Sequence, residues 1–446
     1  MDSFLEERTH KLNDKKIING WSFYDWANSV YSLVITSTIF PIYFTASTRS
    51  FFNGDQIQFF GSTIENSVLY SYALSASFLI IALILPLLSG IADNSGKKIQ
   101  FMKFFTYLGS ISCAGLYFFD GSNVEYGIIL TILAGIGYSG GLVFYDAYLP
   151  EIVTEDRIDK VSARGYSFGY AGSVILLILN LAMISYPEWF FMEKDTDFPV
   201  RISFLMVGIW WAGFAQISFN RLPENPYNRK VTKQVLASGY KEIRKVFRSL
   251  KHLPYMKKFL LSFFLYNMGV QTTMYLAATF GEKELKFDGD FLILTVLIIQ
   301  LVAIIGAIFF AHLATKKGNK FSLVLMLFMW IGICFAAYNT YTKTHFIFVA
   351  FFVGFVMGGI QSLSRATFAK MIPEKTIDHA GYFSFYDVTF NISIVIGTFG
   401  WGFVEQFTQN MRNSVIWLTI LFILGLITLV TIPLSKGFKV SEVPED

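Results

Sequence analysis

The chain has 446 residues, of which 54% are hydrophobic, 18% aromatic and 15% charged, with a mean hydropathy of +0.49. Soluble domains carry about 25% charged residues, so a deficit spread along the whole length sets much of the surface against lipid rather than water. The net charge of +4 is too small to indicate nucleic acid as a partner, Cys113 and Cys334 lie inside apolar runs and form no disulfide framework or zinc pattern, and the five histidines are scattered without metal-ligand spacing.

Residues 1–19 are polar and charged, with no apolar core of a cleavable signal, so the first hydrophobic helix is expected to be retained. A bilayer core takes roughly 20 apolar residues per helix. Spans are expected at Trp21–Thr45, Val68–Ile91, Ile99–Phe119, Tyr126–Leu149, Ser162–Tyr186 and Ser203–Phe219. A second set follows at Phe259–Phe280, Phe291–Leu313, Phe321–Tyr341, Phe346–Ala369, Gly381–Phe403 and Val415–Leu434. Pro41 and Pro86 fall within spans and should bend them. With the N-terminus inside, the inner segments hold about 29 of the Lys and Arg residues and the outer loops about 7, which places both termini in the cytoplasm.

The longest polar connection, 220–258, is rich in Lys and Arg and divides the chain into an N-terminal six-helix bundle (1–219) and a C-terminal one (259–446). Around Tyr240–Leu250 its apolar residues have helical spacing, which fits either an amphipathic helix on the inner leaflet or a plain basic linker. The halves echo each other: Tyr24-Asp25 with Tyr266-Asn267, Gly140-Gly141 with Gly358-Gly359, Gly165-Tyr166 with Gly381-Tyr382, and 89–98 with 311–320. This order supports a parallel repeat of two bundles.

Polar residues inside spans are costly and normally face the bundle interior. Asp25, Asn28, Ser29 and Ser32 lie on one helical face beside Tyr24. Asp25 is either part of a polar path or an exposed carboxylate at the helix start. Tyr145 and Asp146 close the fourth span, and Arg164 is a candidate partner for Asp146, as a substrate site or as a gate. Later spans offer Asn267 and Gln271, Gln361 and Arg365, and Tyr386, Asp387 and Asn391. Asp387 lies about 9 Å into its helix, too deep for a casual surface carboxylate. Arg365 has two readings, a bidentate clamp for a carboxylate or a side chain snorkelling to the inner headgroups. Glycine-rich stretches in spans four, five and ten read as close helix packing by default and as pliable gating helices otherwise.

The connection Ser89-Gly90-Ile91-Ala92-Asp93-Asn94-Ser95-Gly96-Lys97-Lys98 resembles the signature loop of the major facilitator superfamily, with Ser89 and Asn94 where glycine and arginine are usual. In the second half Thr315 stands where the aspartate would be. The resemblance implies that Asp93 and the basic cluster Lys97-Lys98, with Lys97 as the gating candidate, lock the cytoplasmic side. A narrower resemblance covers nearly the whole chain. Residues 21–29 (WSFYDWANS), 40–44 (FPIYF), Phe144-Tyr145-Asp146, Leu149-Pro150-Glu151, Gly165-Tyr166, 358–365 (GGIQSLSR) and 383–387 (FSFYD) are similar to the vacuolar amino-acid effluxer-like branch. Asp146 departs from an asparagine expected there.

The resemblance implies an all-α integral membrane protein of the major facilitator fold, with about twelve spans. It also implies secondary transport of a small solute by alternating access, with amino-acid efflux as the family's implication and protons as candidate coupling ions. Tyr24, Asn28, Tyr145, Asn267, Gln271, Gln361, Tyr386, Asp387 and Asn391 are the expected substrate path, and Asp25, Asp93, Lys97, Asp146, Arg164 and Arg365 the coupling or gating set. No cofactor, metal or catalytic set is expected: there is no P-loop for nucleotide drive and no nucleophile–base pair. The rivals are a lipid or drug exporter of the same fold and a non-transporting receptor or scaffold. Compact loops favour a plasma (inner) membrane.

Overall fold

A computed structural model describes residues 10–193, 196–224, 244, 248, 253–373, 376, 379–408 and 410–433. Among these, twelve long helices follow one another: α1 (Lys15–Phe52), α2 (Asn66–Ser95), α3 (Lys98–Gly115), α4 (Val124–Ala147), α5 (Ile158–Ser185), α6 (Phe198–Phe219), α7 (Pro254–Lys283), α8 (Gly289–Lys317), α9 (Asn319–Tyr338), α10 (Lys343–Met371), α11 (His379–Thr408) and α12 (Met411–Val430). Ten of them are long and apolar enough to cross a membrane; α3, of 18 residues, and the more polar α7 complete the bundles. The protein is thus a multi-pass membrane protein. The amphipathic segment expected around Tyr240–Leu250, and most of the connection 220–258, lie outside the described residues.

Local chemistry sets the helix ends. Asp14 accepts from Lys16 N, Thr342 Oγ1 from His345 N and Asn410 from Arg412 N, each filling an orphan donor of a first turn. Pro41 cannot donate to the carbonyl one turn back. Just before it, α1 passes through a π-helical stretch, Tyr31–Thr38. The expected loop between α1 and α2 instead contains a hairpin, Gln56–Phe59 against Ser62–Glu65, turning through Phe60 and Gly61, both at positive φ.

The pairing of helices shows a repeat. In the first half α1 packs on α5 and α6, α2 on α4, and α3 on α4 and α6. In the second half α7 packs on α11 and α12, α8 on α10, and α9 on α10 and α12, the same pattern shifted by six helices. Between halves, α2 meets α11 as α8 meets α5, and α4 meets α11 as α10 meets α5. The two bundles are therefore related by a pseudo-twofold axis, with α2, α4, α5, α8, α10 and α11 at their interface. Gly96 and Gly318 open the equivalent α2–α3 and α8–α9 connections at positive φ, a conformation glycine adopts without strain. The face carrying these connections, Lys15 and Val430 is the basal face below.

The glycines of α10 are packing positions. A Cβ on Gly358 would run into the backbone carbonyl of Ala303 on α8, so the small residue sets how closely these helices approach.

Candidate functional site

Arg365 is delivered by α10 into the wall of the opposite bundle. Its residue is only 1% exposed. Burying a guanidinium is expensive unless its donors are met, and here they are. Nη1 donates to Asp146 Oδ1 at 2.9 Å, Nε to Ser162 Oγ at 3.0 Å and Nη2 to the Ser162 carbonyl at 2.9 Å. Both terminal nitrogens also lie 3.5 Å from Asp25 Oδ2. The rings of Tyr166, Trp21 and Tyr145 surround the guanidinium, with centroids 4.2, 4.9 and 5.4 Å away, in cation–π range.

The cage is held from behind. Tyr145 donates its hydroxyl to Asp25 Oδ2 at 2.7 Å, and Trp21 stacks on the Tyr145 ring while its Nε1 donates to the Tyr145 carbonyl. Ser162 Oγ donates to the Ser362 carbonyl of α10 at 2.7 Å. Gly165 makes room for the cage, because a Cβ there would lie 2.7 Å from both Asp25 Oδ2 and the Tyr145 hydroxyl. Asp25 is thus a buried partner rather than an exposed N-terminal carboxylate.

Two expectations are corrected. Arg164 is not the partner of Asp146. It points outward, exposed, over the Phe168 ring at 5.2 Å, while Ser162 and Gly165 of the same helix face the interior. Arg365 is the cation at Asp146, and it does not snorkel. Lys97 is not the basic residue of the α2–α3 lock. It precedes the first residue of α3, and Lys98, at the next position, turns inward. Lys98 Nζ lies 2.5 Å from Glu151 Oε1 and 3.2 Å from Asp93 Oδ1.

Asp93 crosses to the other half, accepting from Gly381 N at 2.7 Å and Ala380 N at 3.3 Å in the first turn of α11. Free N–H groups and the helix dipole make that end a natural anion site. The equivalent latch of the second half has different chemistry. Thr315 bonds only back to Ala311 O of its own helix. Instead Asp159, in the first turn of α5, accepts from Lys370 Nζ at 2.6 Å and from Asn319 Nδ2 at 2.7 Å. All these inter-half contacts lie toward the basal face.

Deeper in the interface, Tyr170 of α5 donates to Gln361 Oε1 of α10 at 2.5 Å. On α7, Asn267 donates to Ser393 Oγ of α11 and accepts from Gln271. Asn28, Asp387 and Asn391 are buried, and Asn28 Nδ2, Asp387 Oδ2 and Asn391 Oδ1 have no hydrogen-bond partner among the described residues. Tyr386 stacks on Phe263 and Phe368, and Tyr24 bonds Thr106 within its own half. Structure therefore joins Asp25, Tyr145, Asp146 and Arg365 in one cluster, and places Asp93 in a separate latch.

Sequence reasoning missed Trp21, Ser162, Tyr166 and Tyr170 at the interface, and Asp159, Asn319 and Lys370 in the second latch. Trp21 falls one turn before Asp25 on the same face, a signal available from spacing alone. The second latch gave none, because its charges stand among ordinary loop-end charges. Two cavities flank this region. One is a depression on the basal surface that includes Lys15, Lys160 and Arg164. The other lies inside the second bundle and is lined mainly by apolar side chains, with Thr272, Trp330, Cys334 and Trp401 among them. Neither contains Asp25, Gln361 or Asp387.

Two pseudo-symmetric six-helix bundles, closed on one face by inter-half charge contacts, are the architecture of a major facilitator transporter. The solved structures agree on the fold. The proton:xylose symporter XylE, bound to 6-bromo-6-deoxy-D-glucose, superposes with a TM-score of 0.69 at 14% identity, covering 94% of this chain and 95% of that one. A bacterial homologue of the iron transporter ferroportin in an outward-facing state gives 0.66 at 14%, covering 93% and 98%. The chain belongs to the family described as vacuole effluxer Atg22 like, whose model matches residues 13–442. Its relatives include an uncharacterized MFS-type transporter, YxiO, of Bacillus subtilis, 29% identical over 96% of this chain and 97% of the relative. Autophagy-related protein 22 of Kluyveromyces lactis is 23% identical over 96% and 94%.

Proposed function

We propose that this transporter moves a small polar solute by alternating access, with residues 1–219 and 259–446 as the two moving bodies and 220–258 as their link. The observation that carries this reading is Arg365 of one bundle bonded to Asp25, Asp146 and Ser162 of the other. Those bonds must break for the basal face to open. Efflux is favoured by the family's description and amino acids by the sequence resemblance; the positive-inside rule assigns the basal face to the cytoplasm, and the compact loops assign the protein to a plasma membrane. Asn28, Asn267, Gln271, Gln361, Asp387 and Asn391 line the path in this reading. Two carboxylates on one guanidinium leave room for a coupling proton at Asp25 or Asp146.

The test is amino-acid counterflow in proteoliposomes across a mixed panel, with and without a pH gradient, comparing the native protein with Asp387→Asn. Saturable exchange lost in the variant supports the assignment, and dependence on the gradient supports proton coupling. No exchange by well-folded protein removes amino acids as the substrate. A second reading, an apolar solute, is favoured by the apolar cavity of the second bundle; exchange of lipid or drug probes in the same vesicles would establish it.

A further inference from the structure

We infer that Asp387 and Asn391 form a subsite for a protonated amine of the transported molecule. This rests on the reading of the inter-half region as the solute path. The two residues stand one turn apart on α11, so their side chains are neighbours on one face. Both are buried, at 5% and 2% exposure, and each carries an oxygen without a hydrogen-bond partner among the described residues. Asp387 is within electrostatic reach of Asp146 and Tyr166 of the other bundle and of Arg365 of its own.

Two unmatched acceptors, one of them a carboxylate, ask for a donor that carries positive charge. A neutral hydroxyl would fill the geometry but leave the charge uncompensated in a region of low dielectric. An ammonium supplies three N–H donors and the charge together. In this closed arrangement the converse group finds no free partner: among the described residues the buried cations are Lys98 and Arg365, and both are engaged with carboxylates of this chain. Asp25, Asp146 and Asp387 against the single guanidinium of Arg365 leave the inter-half region short of positive charge. The amine is therefore the anchor, and a carboxylate on the ligand is not required.

The experiment measures ligand-induced thermal stabilisation of the purified full chain in potassium buffer. The probes are the amide, the free amino acid and the N-acetyl derivative of alanine, leucine and phenylalanine. The expected result is stabilisation by amides and free amino acids of at least one side chain and none by the N-acetyl forms. Asp387→Asn should weaken the apparent affinity at least about tenfold, and Asn391→Leu by a smaller factor. The melting temperature without ligand verifies that each variant folds, and Asp387→Glu, which keeps the charge, should retain part of the binding. Stabilisation by N-acetyl forms, unchanged affinity in Asp387→Asn, or no response to any amine would overturn the subsite. So would stabilisation by sodium alone that Asp387→Asn abolishes, since the site would then hold an inorganic cation. Counterflow in parallel separates the two levels of inference. Exchange of an N-acetyl amino acid keeps the transporter and removes the amine subsite; amine binding without exchange keeps the subsite and removes transport of that amine.

Discussion

Arg365 Nη1 lies 2.9 Å from Asp146 Oδ1, joining side chains 219 positions apart and the two bundles with them. Removing one partner of a buried ion pair costs about 3–5 kcal/mol because the other is left unpaired. Arg365→Met should therefore destabilise the closed basal arrangement by about that much. A cysteine at Ser362, in a background without Cys113 and Cys334, should become more reactive to a thiol reagent in that variant. Arg365→Lys should restore partial closure, since an ammonium keeps the charge but loses the planar fork. Equal reactivity with and without Arg365 would show that the residue does not hold the face shut.

Adjacent lysines should behave differently. Lys98→Ala removes the cation shared by Asp93 and Glu151, and a loss of roughly 3–5 kcal/mol is expected. Lys97→Ala removes a half-buried side chain outside that ion-pair cluster and should stay within about 0.5 kcal/mol. Denaturation of the two variants side by side is the measurement, and equal losses would contradict the assignment of the lock to Lys98.

The second latch should tolerate exchange of its charges. Asp159→Lys and Lys370→Glu each place like charges together across the interface. The double variant restores opposite charges, with an expected coupling of about 0.5–3 kcal/mol in a double-mutant cycle. Transport by the double variant above either single one would tie the pair to gating rather than to folding alone.

Two glycines give a paired test of packing. Gly165→Ala pushes a methyl to 2.7 Å from Asp25 Oδ2 and the Tyr145 hydroxyl and should cost about 1–3 kcal/mol. Gly332 has no heavy atom within 4 Å of an added Cβ, so Gly332→Ala should stabilise α9 by about 0.5–1 kcal/mol. Thermal denaturation of both variants reads out the difference in sign.

The twelve helices and the two-half repeat could be read from the chain alone, because burial in lipid demands long apolar stretches whatever their neighbours are. Asp25, Asp146, Arg365 and Asp387 could be singled out for the same reason, since a charge within a span needs a special environment. Their pairing could not. Arg164 and Arg365 are both basic residues near the basal ends of spans, and helical rotation alone decides that Arg164 faces outward while Arg365 faces two carboxylates across the interface. Lys97 stands just outside α3 and Lys98 is its first residue, a boundary that the pattern KK does not resolve. The latch of Asp159, Asn319 and Lys370 is likewise a product of assembly, with members from three helices in two bundles. One-dimensional patterning registers how much each segment must avoid water; which charges meet depends on distances between helices, and only packing sets those.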